Sequence, residues 1–148
     1  MMTYKLRLLI IHCIMPLFIG VLIYIFFRTT ELKMCKWFSL IGIKDYIITT
    51  KIFFLDVKSY LPNWIIFSLP DGLWTYSFSA MLYYSWDEIF LKYRILLIFP
   101  FCCLFILEII QYKNENFGTF DFADLIVSFI MNMLLIKNLK LNNYEKKD

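Results

Sequence analysis

Long apolar runs broken by short polar turns dominate the chain. The first runs from about Leu6 to Phe27, the second from Leu69 to Trp86, the third from Ile95 to Ile110 and the fourth from Asp121 to Ile136. Runs near twenty residues match helices crossing a hydrocarbon layer of roughly 30 Å, so the pattern predicts about four transmembrane helices. The fourth run is short, which predicts tilt or local thinning of the bilayer. Lys5 and Arg7 precede the first run, but Arg28-Thr29-Thr30-Glu31 follows it without a small-x-small cleavage pattern. It therefore reads as an uncleaved anchor that Pro16 and Gly20 bend.

Between residues 29 and 63, lysines alternate with patches such as Ile52-Phe53-Phe54-Leu55. None is long enough to span without carrying Lys44, Asp45 or Lys51 into lipid. An amphipathic segment lying in the interface is the expected compromise, with a distorted fifth span between Phe38 and Leu55 as the alternative. The fold class is thus all-α: a single polytopic membrane domain, a bundle of about four helices plus an interfacial segment. A short basic tail occupies residues 137–148.

Composition agrees. Of 148 residues, 61% are apolar, 20% aromatic and 18% charged, and the mean hydropathy is +0.66, beyond what a soluble domain of this size can bury. The net charge of +3 is dispersed, without the dense basic stripe that nucleic-acid binding requires. Cysteines 13, 102 and 103 sit in apolar runs and Cys35 in a loop, a spacing that fits small apolar fillers better than disulfides or a zinc site. His12, the single histidine, lies inside the first run with no carboxylate or cysteine near it in sequence, and reads as packed or hydrogen-bonded.

The informative positions are acids at span ends, where a charge is costly in lipid unless it reaches water, a partner or a ligand. Ser68-Leu69-Pro70-Asp71 reads as a helix start: Ser68 caps, Pro70 fits the first turn and Asp71 complements the positive helix end or joins a site. Trp74 follows one turn later, and Tyr83, Tyr84 and Trp86 close the far end as an aromatic belt. Glu108 and Gln111 share one face near the end of the third span, where the helix dipole disfavours a carboxylate, so Glu108 calls for water, a cation such as Arg28, a shared proton or a ligand. Thr119 or Asp121 caps the fourth helix. Asp124, Ser128 and Asn132 then draw a polar stripe down it, suited to interhelical hydrogen bonds or ligand contact.

Four alternating spans bring Asp71, Glu108, Gln111, Asp121, Asp124 and Arg28 to one membrane face, opposite both termini. Lys5, Arg7, Lys92, Arg94, Lys137 and Lys140 favour cytoplasmic termini in a multi-pass cell-membrane protein, whereas Arg28, Lys33 and Lys36, close after the first span, argue the other way.

The sequence Glu108-Ile109-Ile110-Gln111, then Gly118-Thr119-Phe120-Asp121, then Asp124-Leu125 resembles the VanZ-like family of small integral membrane proteins over about Pro70 to Ile136. It departs from that pattern in lacking an arginine between the two motifs and in carrying Ser128 where asparagine is common. The resemblance implies a cell-envelope role associated with resistance to the glycopeptide teicoplanin.

Three functions fit. In the first, Glu108, Gln111, Asp121, Asp124 and Asp71, supported by Arg28, Ser128 and Trp74, bind a lipid headgroup, envelope precursor or glycopeptide. In the second, the carboxylates hold magnesium or calcium, the cations that suit oxygen ligands, and act on a lipid-linked substrate. No cofactor is otherwise expected, and the want of a nucleophile, of a histidine at the cluster and of a phosphate-cradling glycine loop favours a non-enzymatic protein. In the third, the acids cap helices in a scaffold that binds another membrane protein or a second copy of itself.

Overall fold

The structure, a computed structural model, describes residues 2–28, 38–85, 94–114 and 118–144. Trp86, the polar turn with Asp87, Glu88 and Lys92, and the loop carrying Lys33, Cys35 and Lys36 lie outside the described residues. Every described element is helical.

Helix α1 covers residues 2–27, an α-helical stretch Met2–Leu9, a π turn Ile10–Ile14 and a second stretch Met15–Phe27. Pro16 explains the π turn. A proline ring collides with the carbonyl four residues back, here that of His12, and offers it no N–H. Widening one turn relieves the collision, and the N–H of Met15 reaches Ile10, five residues back.

Helices α2 (Lys44–Phe53), α3 (Leu55–Tyr60) and α4 (Asn63–Phe67) follow. Helix α2 has ten residues, about 15 Å of rise, which is too short for the fifth span. Neither α2 nor α3 buries any residue, and Phe54 between them packs on Phe26 and Phe27 at ring distances of 5.4 and 6.0 Å. Leu61 and Pro62 are extended, as expected at and before proline, and separate α3 from α4.

Helix α5 (Leu69–Ser85), helix α6 (Phe99–Lys113, entered through a 3-10 turn Arg94–Ile98) and helix α7 (Phe122–Tyr144) complete the chain. Among the described residues, three helices are long and apolar enough to cross a membrane: Leu6–Phe27, Ile95–Lys113 and Phe122–Leu139. They support a multi-pass membrane protein, and their outward faces carry large apolar side chains such as Phe18, Ile106 and Phe122. Helix α5, with 17 residues, rises about 25 Å and packs against α1, α6 and α7.

The core explains two departures from the sequence pattern. Tyr76, Ala80 and Tyr83, at i, i+4 and i+7 on α5, join Cys13, Leu97, Leu135 and Leu139 in one buried cluster. Tyr83 is therefore core and not an interfacial belt, and Tyr84 stacks on His12 at 6.0 Å. Leu139 continues the Leu135 face by one turn, so α7 runs to Tyr144 instead of ending near Ile136, and its residues Phe122–Leu139 are long and apolar enough to cross a membrane. His12 is hydrogen-bonded as expected, with 2.7 Å between Nδ1 and the Tyr76 hydroxyl.

Close helix approach is made by small residues. A Cβ on Gly20 would lie 3.1 Å from the Trp74 ring, and one on Gly72 would lie 2.8 Å from Val127 Cγ1. Buried hydroxyls on α5 are satisfied by the backbone of their own helix: Thr75 donates to Asp71 O and Ser77 to Leu73 O, each at 2.7 Å.

The lower half of the α7 polar stripe is structural. Pro100 has no N–H for the Leu97 carbonyl in the 3-10 pattern, and Ser79 Oγ and Asn132 Nδ2 donate to that carbonyl instead, at 2.9 and 3.0 Å. Asn132 Nδ2 also donates to Ser79 Oγ at 2.8 Å. Replacement of Asn132 by alanine is expected to lower stability by about 2 kcal/mol, combining a modest intramembrane hydrogen-bond loss with a small cavity. Thermal unfolding in detergent measures it.

Candidate functional site

The chain direction alternates, so α1 and α6 end where α5 and α7 begin. At that end α5 contributes Asp71, α6 contributes Glu108 and α7 contributes Asp124, with Arg28 just past α1.

Asp71 does not cap α5. Its carboxylate faces Arg28, with Nη2 to Oδ2 at 3.9 Å, and interacts with Asp124 across the helix pair. Nor does Ser68 cap. The chain arrives at α5 already helical from α4, with Ser68 in the right-handed helical region and its carbonyl accepting from Gly72 N. The hydroxyl is left fully buried, beside Asp124 and without a hydrogen-bond partner of good geometry. A cap residue needs the extended region, and α4 removes it.

Arg28 is the cation of the site. Its Nη2 donates to the Phe67 carbonyl at 2.7 Å, its guanidinium lies 4.9 Å from the Tyr24 ring centroid and 5.4 Å from that of Phe67, and Lys51 Nζ donates to its carbonyl at 3.0 Å. Held by two rings and a backbone carbonyl, it is confined opposite Asp71 and Asp124.

Glu108 lies five residues before the end of α6, which runs on to Lys113. It is 5% exposed, and its Oε2 accepts the backbone N–H of Asp121 at 3.1 Å. Asp121 caps α7, Oδ1 accepting from Ala123 N at 2.8 Å. Gln111 packs its amide against Gly118, at φ +139, where a Cβ would come within 3.0 Å of it. Glu108, Gln111 and Asp121 thus fix the α6–α7 connection, while Asp71, Asp124 and Arg28 form the center of the site. Alanine at Asp121 is expected to cost about 1 kcal/mol, the usual loss of a helix cap, read as a lowered melting temperature.

Asp124 is 7% exposed and its Oδ1 has no hydrogen-bond partner, nor have the buried Ser68 Oγ, Ser128 Oγ and Arg28 Nε. Such groups normally find partners, because an unmade bond in a dry site costs on the order of 1–3 kcal/mol. Ser68 stands three residues before Asp71, and that i, i+3 spacing places both on one helical face. Trp74 sits one turn below, against Gly20. Among the described residues, no three of His, Cys, Asp and Glu are grouped to hold a metal ion. No protein-family profile, curated protein or solved structure matches the chain.

Proposed function

We propose that the chain is a four-span, VanZ-like protein of the cell membrane, with α5 as the fourth span, residues 29–63 at the interface and both termini in the cytoplasm. Its acidic face binds the polar part of an envelope lipid or glycopeptide. The observation that carries this reading is the Asp124 carboxylate, buried with an unpartnered oxygen among Asp71, Ser68 and Arg28. Carboxylates outnumber guanidinium groups there, so a ligand that brings hydrogen-bond donors completes the set.

Asp124→Asn tests it. Asparagine keeps the size of the side chain and one oxygen at the buried position, so the fold and membrane level are retained, while the charge is lost. The variant is expected to fail to complement the envelope phenotype of a deletion strain, and full complementation overturns the reading. Orientation is tested separately: with native cysteines replaced, Thr119→Cys should react with a membrane-impermeant thiol reagent in intact cells. Reaction only after lysis would put the acidic face in the cytoplasm.

A scaffold reading draws on the Asp121 cap and the Glu108 brace. It predicts that Asp71→Asn lowers stability without changing any activity.

A further inference from the structure

We propose that the groove between α5 and α6 holds an acyl chain of the same lipid whose amine-bearing headgroup sits among Asp71, Asp124 and Ser68. This rests on the headgroup reading above and names its ligand class. The groove is a cavity of about 350 Å³ walled by Trp74, Phe78, Phe99, Cys103, Leu104 and Leu107. Its one hydroxyl, that of Thr75, is taken up by Asp71 O at 2.7 Å. An apolar wall of this kind suits hydrocarbon and offers water no partners.

The groove and the acids are continuous along the same helix faces. On α5, Asp71, Thr75, Phe78 and Leu82 recur at helical spacing, and on α6 Leu104 and Glu108 share a face, as do Leu107 and Gln111. The upper end of the groove, at Thr75 and Leu107, therefore lies within one turn of Asp71 and Glu108, and the groove descends beside Trp74 and Leu107 to Leu82 and Phe99, about 12 Å along each helix. A ligand polar at one end and apolar below matches that layout.

Charge selects the headgroup. An ammonium supplies three donors, and Asp124 Oδ1 and Ser68 Oγ are buried acceptors without partners, while the Arg28 guanidinium, 3.9 Å from Asp71, is the cation beside them for the phosphate. A glycerol headgroup offers hydroxyl donors but no positive charge to set against Asp71 and Asp124, so the amine is preferred.

The test uses the whole protein in nanodiscs carrying a trace of phosphatidylethanolamine with a mid-chain diazirine, compared with phosphatidylglycerol bearing the same chain. Photolysis and peptide mapping are expected to show the ethanolamine lipid labelling the walls at residues 74–82 and 99–107 about tenfold more than the glycerol lipid, the ratio that one well-made polar contact of about 1.4 kcal/mol gives. Leu104→Trp, which fills the groove from its lipid side, should lower that labelling severalfold, and Asp124→Asn should abolish the preference. Equal groove labelling from both lipids overturns the inference and leaves the headgroup reading to its own complementation test. An ethanolamine preference that maps away from the groove overturns the acyl-chain site alone.

Discussion

Leucine in place of Gly72 is expected to prevent assembly of the bundle. Among the described helices α5 and α7 make the most extensive contact, and Gly72 packs directly against Val127 and Met131 of α7. A single Cβ there would lie 2.8 Å from Val127 Cγ1, 3.1 Å from Met131 Cγ and 3.4 Å from the Val127 backbone. The methionine can rotate away, but valine is held near one rotamer in a helix and the backbone behind it cannot yield. Overpacking of this kind costs about 1–3 kcal/mol for small additions, against a gain of up to about 1 kcal/mol for replacing a helical glycine. Gly72→Ala should therefore melt slightly below the wild type, and Gly72→Leu should aggregate during purification. Val127→Ala removes the colliding methyl groups and should restore Gly72→Ala specifically, as a double-mutant cycle in detergent melting temperatures would show. A Gly72→Leu protein that melts with the wild type would mean that α5 and α7 do not meet at this register.

What the sequence disclosed follows from which interactions are local. The limits of the first span, Leu6 to Phe27, are set by an apolar run and are found unchanged. The gathering of Asp71, Glu108 and Asp124 at one end needs only alternating chain direction, and Asp121 caps its own helix two residues on. The features that escaped depend on distant partners. Pro100 is visible in the sequence, but that Asn132 and Ser79 fill the place of its missing N–H requires the packing of α5, α6 and α7. Ser68 looks like a cap until α4 brings it in already helical. Glu108 invited a cation, and the backbone N–H of Asp121 supplies one of its needs instead. Tyr83 shares a helical face with Tyr76 and Ala80, and that spacing, not the aromatic cluster at the run's end, marks it as core.

Arg28→Ala is expected to destabilise the protein by about 2 kcal/mol, and the reason separates the site's electrostatics from its packing. Removing one member of a fully buried ion pair costs about 3–5 kcal/mol, and the side chains of Arg28 and Asp71 are 23% and 31% exposed, so water recovers part of that. The loss has two sources. One is the guanidinium opposite Asp71 and Asp124, and the other is its bond to the Phe67 carbonyl and its stacking on Tyr24 and Phe67. Asp71→Asn in the same molecule relieves only the first, so the double variant should be more stable than Arg28→Ala alone yet remain below Asp71→Asn. Arg28→Lys keeps the charge but gives up the planar fork that serves the carbonyl and the carboxylate together, and should fall between wild type and alanine. If Asp71→Asn and Arg28→Ala simply add in thermal or denaturant unfolding, the 3.9 Å pair contributes nothing and Arg28 acts as a packing residue. A coupling of about 1 kcal/mol or more would establish that the acidic face depends on its cation.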